Sequence, residues 1–144
     1  MPFAPRRRIL SLLACATAAM AQSAPQLGAG EQLFVEATSL FQAPQDKRDP
    51  VRGLEKLLAS ADLRYVHAPF GLCIALSTEP EVLSLIESYA WCELAARSAS
   101  RFAPMAKDRA IEVLGRIAVH EGAENVGKAK SRAIELARKF ASAA

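Results

Sequence analysis

From Glu31 onward the apolar residues of this chain fall at helical rather than alternating spacing. Leu33, Phe34, Ala37, Leu40 and Phe41 recur at intervals that place them on one helix face. Ala43 to Arg48 is a polar, proline-containing loop. Asp49-Pro50 then opens a second helix, because Asp accepts from free amides and Pro suits a first turn. That helix carries Val51, Leu54, Leu57, Leu58 and Ala61. Pro69 must lie in the first turn of a third helix, running from about His67 to Leu76, since an interior proline breaks a helix. Thr78-Glu79-Pro80-Glu81 predicts a capping box, with Thr78 as cap and Glu81 reaching back, for a fourth helix that continues to about Ser98. Val82, Leu85, Ile86, Tyr89, Trp91, Leu94 and Ala95 cover most of its circumference. A helix that is apolar nearly all round is packed on two sides, as in a solenoid.

Pro104 opens a fifth helix with Ala106, Ala110, Ile111, Val113, Leu114 and Ile117. Gly122 separates it from a sixth, where Val126, Ala129, Ala133, Leu136, Ala137 and Phe140 share a face. No alternating run rich in β-branched residues exists, so no sheet is expected. The predicted fold is therefore all-α, of about six helices. Shifting the chain by 36 positions aligns Phe34 with Phe70, Leu40 with Leu76, Pro44 with Pro80, Leu58 with Leu94 and Ala59 with Ala95. These matches recur at equivalent points of helix, loop and helix, which points to a repeat.

The N-terminus changes the picture of compartment and charge. Arg6, Arg7 and Arg8 precede an apolar run from Ile9 to Met20, and Ala19-Met20-Ala21 has the small-x-small pattern of a signal-peptidase site. The run is too short to cross a bilayer as a mature helix. Residues 1–21 are expected to be a leader cleaved after Ala21, and residues 22–30 a flexible lead-in to a helical domain over 31–144. The expected location is the periplasm. An alternative is a lipoprotein anchored at Cys15, because Leu12-Leu13-Ala14-Cys15 resembles a lipobox. Of 18 Lys and Arg, three leave with the leader, and the remainder balance the 15 Asp and Glu. A formally neutral mature chain offers no global attraction for nucleic acid. Cleavage also removes Cys15 and leaves an even pair, Cys73 and Cys92, which suits an oxidising compartment.

Catalytic signatures are sparse. A hydrolytic triad needs a nucleophile, a base and an orienting group. The usual base is represented only by His67 and His120, both outside any known motif and both expected to face solvent near helix ends. Two cysteines and two distant histidines lack zinc-ligand spacing. There is no glycine loop for a phosphate, and Glu79 and Glu81 are accounted for by capping. No cofactor is expected. In the last helix Lys128, Lys130, Arg132, Arg138 and Lys139 outnumber Glu135. They read as a solvated face, and membrane contact is not expected.

At Ala68–Leu76 (APFGLCIAL) and Ser88–Arg97 (SYAWCELAAR) the chain resembles the Sel-one-like repeat family, relatives of the tetratricopeptide repeat. Ala68, Phe70, Leu72 and Leu76 fall on the pattern of that family's first helix, and Cys73 stands where glycine is usual. Ser88, Trp91, Ala95 and Ala96 fit its second helix. The segment from Lys107 to Phe140 is similar to a closing helix pair, and residues 31–61 to a weaker preceding repeat. The chain departs from the pattern in having Ser77-Thr78-Glu79-Pro80 where a Gly-x-Gly-Val loop is usual. It also lacks the glycine after each second helix. The resemblance implies a short right-handed α-solenoid of antiparallel pairs, with repeats at about 31–64 and 67–99 and a closing pair at about 104–141. Small residues allow paired helices to approach closely, and Phe70, Trp91 and Leu94 are expected in the core.

The resemblance further implies a non-catalytic module that binds another protein on its concave face. An immunity-type inhibitor of a toxic enzyme is the alternative. An enzyme with an unrecognised site is the third reading. If the repeats stack, the same shift matches Glu31 to His67 and Thr38 to Ile74, and residues seven apart share a helix face. Those four form the candidate partner-binding strip, while Leu72 and Leu76 point into the pair. Cys73 would face the second helix of its pair near Ser88 and Cys92, which makes Cys73–Cys92 a candidate disulfide. Two buried thiols are the alternative.

Overall fold

A computed structural model of the chain describes residues 26–142. The expected leader at 1–21, its cleavage site after Ala21, the alternative anchor Cys15 and the start of the lead-in lie outside the described residues. Six α-helices follow in order: α1 (Ala29–Gln42), α2 (Pro50–Asp62), α3 (Ala68–Thr78), α4 (Leu85–Ala96), α5 (Ala103–His120) and α6 (Ala123–Ser142). There is no strand among the described residues. Helix α1 starts at Ala29 rather than Glu31, because the Gly28 carbonyl already accepts the Gln32 N–H.

Local signals place most ends as expected. Asp49 caps α2 through its carboxylate, which accepts the Arg52 N–H at 3.0 Å, with Pro50 behind it. Gly122 takes φ +87° between α5 and α6, a left-handed turn that suits glycine. The junction of α3 and α4 corrects the expectation of a Thr78 cap. Pro80 pushes Glu79 into extended backbone, which ends α3, and a single 3₁₀ turn spans Pro80–Val82. The Thr78 hydroxyl donates back to the Ile74 carbonyl at 2.8 Å. Glu81 does not reach back, because Arg48 pairs with Glu79 and lies 3.6 Å from Glu81. The cap of α4 is Ser84, whose Oγ accepts the Glu87 N–H. The fourth helix therefore begins later than expected and ends at Ala96 rather than Ser98.

Contacts along α1 and α2 run in opposite senses. The Ser60 hydroxyl donates to the Gly30 carbonyl, Lys56 meets Glu36 midway, and Phe41 packs on Gly53. A Cβ at Gly53 would lie 2.9 Å from the Phe41 ring, so glycine permits this close approach. Helices α3 and α4 pair in the same antiparallel way. Ser88 Oγ donates to the Cys73 carbonyl at 2.7 Å, and Ser84 N–H to the Leu76 carbonyl at 2.9 Å. Cys73 and Cys92 are joined by a disulfide across this pair.

Helix α4 is the hub, touching α3, α5 and α6. Its expected two-sided burial is seen in Leu85, Tyr89, Ala90, Trp91, Cys92 and Ala95. Trp91 is 4% exposed and meets Phe140 of α6 edge to face. Arg132 of α6 binds Glu87 of α4 at 2.6 Å, and Arg116 of α5 donates to the Ser77 carbonyl at the end of α3. Helix α6 leans on α4 more than on α5. Small residues sit fully buried at the crossings, among them Ala37, Ser60, Ala68, Ser88, Ala95 and Ala106. Helices meet closely there, and the larger Leu57, Leu72, Ile117 and Leu136 fill the space between.

Candidate functional site

Side chains of α1 and α3, which both pack against α2, line a groove of about 470 Å³. Phe34, Thr38 and Phe41 face it from α1, at the spacing of one helix face, and Phe70, Ile74 and Thr78 face it from α3. Leu57 and Ala75 form its floor. Gly71 belongs to this floor for a steric reason. A Cβ there would lie 3.0 Å from the Phe34 ring and 3.1 Å from Leu57. Its absence keeps both side chains in place.

One end of the groove is closed by a chain of rings. Phe34 meets Tyr65 at 5.2 Å, Tyr65 meets His67 at 5.4 Å, and His67 meets Phe102 at 5.1 Å. Phe102 then stacks on Phe70 at 4.9 Å with planes 15° apart. The Arg101 guanidinium lies 4.8 Å over the Phe102 ring. His67 is oriented by Ser100, whose Oγ is 2.7 Å from Nδ1 and also accepts the Phe102 N–H. A hydroxyl both donates and accepts, so Ser100 serves either ring tautomer at Nδ1 and fixes the plane of the imidazole. Burial pushes the Tyr65 phenol above its ordinary value; Glu31 adds to the rise and Arg101 opposes it. Both charges are thus within electrostatic reach of this end. At the opposite end Glu79 is neutralised by Arg48.

Thr38, His67 and Ile74 of the expected strip all line this one groove. Glu31 does not line it, and stands in the first turn of α1 near Tyr65. Two sequence expectations need correction. His67 does not face solvent freely: it is half-buried and held by Ser100. Phe70 is not core: it is half-buried and forms a groove wall against Phe102. Sequence reasoning missed Tyr65, Arg101 and Phe102. They lie in short connections outside any periodic run, where no spacing signal reaches them. The match of Phe34 to Phe70 under the repeat shift was the available clue to the walls.

The Ser100 hydroxyl is placed to hold the His67 ring and is not presented to the groove. Ser100 is 5% exposed and its oxygen accepts a backbone amide. Its role is to position His67. Among the described residues no cluster of three or more His, Cys, Asp or Glu is arranged to hold a metal, and no helix is long and apolar enough to cross a membrane. His120 is exposed at the end of α5. On α6, Arg132 binds Glu87 and Glu135, and Lys128 meets Glu124. No protein-family model, curated protein or solved structure matches the chain.

Proposed function

We propose that this protein is a non-catalytic binding module of the periplasm, a short right-handed α-solenoid of Sel-one-like repeats that holds a segment of a partner protein between α1 and α3. The observation that carries the reading is the coincidence of period and groove. Phe34 and Phe70, and Thr38 and Ile74, are equivalent under one repeat shift and line one concavity. In an array of helix pairs the first helix of each pair supplies such a surface. The groove is mostly apolar, with aromatic walls and few polar groups, which is the composition of a binding cleft. The His67 imidazole and the Arg101 guanidinium supply polar groups at one end, suited to fixing the register of a bound segment.

The test is photo-cross-linking in intact cells from a benzophenone side chain introduced at Ile74. A discrete partner is expected, carried equally by the Lys128→Glu/Lys130→Glu/Arg138→Glu variant and lost on His67→Glu. Arg132 is left unaltered because it pairs with Glu87. The α6 changes are at exposed positions and leave stability nearly intact, whereas His67 is half-buried, so thermal melting checks that its variant is folded. Loss of the partner only in the α6 variant overturns the assignment. A captured enzyme whose activity falls on binding would specify the inhibitor role.

A further inference from the structure

A second concavity lies away from the α1–α3 groove. Lys130, Ile134 and Ala137 of α6 face Tyr89, Leu94 and Arg97 of α4 across a hollow of about 180 Å³. Leu94 and Arg97 also border a neighbouring hollow of about 260 Å³ under the α2–α3 turn, where Arg64, Val66 and Phe140 stand. The two form one track, which shares only the Tyr65 ring with the α1–α3 groove.

The charge along this track is one-sided. Lys130 and Arg138, on the same stripe of α6 as Ile134, are exposed and have no acidic partner among the described residues. The Arg97 side chain is 72% exposed and meets Glu93 at 3.5 Å. Arg64 holds its guanidinium 4.1 Å over the Phe140 ring and makes no ion pair among the described residues. Glu93 is the one acid among the described residues lining the two hollows. The track therefore concentrates cations above an apolar floor. Ile134 is 55% exposed at its edge, while Leu94 lies recessed between the helices.

We infer that this α4–α6 track is a second binding surface, which takes an acidic segment of a partner protein presenting aliphatic or aromatic side chains at helical spacing. Charge complementarity identifies the occupant. Lys130 and Arg138 on α6 and Arg64 at the α2–α3 turn, with the mostly exposed Arg97 on α4, favour carboxylates on the flanks of the bound segment, and the apolar floor takes its anchors. The recess argues against a lipid surface, which needs apolar side chains that project beyond the cations into the acyl boundary.

Panning a phage-displayed library of random 16-residue peptides against the purified protein tests this. Enriched sequences are expected to carry net negative charge and apolar residues three and four apart. Synthetic copies should bind the Arg97→Glu/Lys130→Glu variant roughly tenfold or more weakly, with a smaller loss for Arg97→Gln/Lys130→Gln and none for His67→Glu/Ile74→Glu. Arg97 and Lys130 are exposed while His67 and Ile74 are half-buried, so helical circular dichroism and thermal melting check that each variant is folded before its affinity is compared. The inference is overturned by an absence of enrichment, by enriched sequences without net negative charge, or by affinity that Arg97→Glu/Lys130→Glu leaves intact. It is equally overturned if the protein co-sediments with phosphatidylcholine–phosphatidylglycerol vesicles through these cations, which would assign the surface to lipid.

Discussion

Opening the Cys73–Cys92 bridge should cost this fold about 3 kcal/mol, and the reasoning can be checked in one experiment. The two cysteines are 19 positions apart and join α3 to α4, so the bond closes a loop containing the whole α3–α4 junction. Loop closure removes entropy from the unfolded chain in proportion to the logarithm of loop length, about 3 kcal/mol for a loop of this size. For a helical domain of this length that is a fall in melting temperature of about 12 °C. The native contacts between the helices are separate from this term, because Ser88 Oγ still donates to the Cys73 carbonyl and Ser84 N–H to Leu76. Reduction therefore isolates the cross-link, whereas Cys73→Ala/Cys92→Ala also removes two buried sulfurs. The assay is urea unfolding of the oxidised and fully reduced protein, followed by helical circular dichroism. Reduced protein should remain folded in water, with a lower midpoint. A shift below about 1 kcal/mol would refute the entropic argument and assign the stability of the pair to its side-chain contacts.

Asp49→Ala should destabilise the protein by about 1 kcal/mol in the same assay, with Asp49→Asn retaining most of the cap. Arg64 sits at φ 61°, in the left-handed region, with its guanidinium on Phe140. Arg64→Gly alone should shift stability by less than about 1 kcal/mol, as relief of strain offsets the lost contact; in a Phe140→Leu background it should be more favourable by about 0.5–1 kcal/mol. The Lys56 hydrogen bond, aided by Gln32, holds the Glu36 carboxyl below the usual carboxylate range. The associated stability is complete above that range and is lost as pH falls through the lowered folded-state value. Lys56→Met should raise the Glu36 titration point by NMR and flatten that acid limb. Ser100→Ala should leave the groove apolar walls intact but broaden the His67 ring signals, since Ser100 is the hydroxyl that orients the imidazole.

How much of this was legible in the sequence depended on the distance over which each feature is encoded. Helix α2 and its cap followed from adjacent residues, Asp49-Pro50 and the spacing of Leu54, Leu57 and Ala61, because helical periodicity and capping are local. The all-round apolar pattern of α4 likewise forecast a helix packed on several sides. At the α3–α4 junction the sequence pointed to Thr78 and Glu81, whereas the structure caps α4 with Ser84. The choice fell to Arg48, distant in sequence, which pairs with both Glu79 and Glu81. The groove showed the same division. Period arithmetic put Glu31, Thr38, His67 and Ile74 on one strip, and the groove is lined by the last three but not by Glu31. Tyr65, Arg101 and Phe102 entered the site through connections between helices, and Ser100 turned His67 from a solvent group into an oriented one. Those contacts form only when α3, α4 and α5 pack together, and a pairing made by packing leaves no spacing in the chain to read.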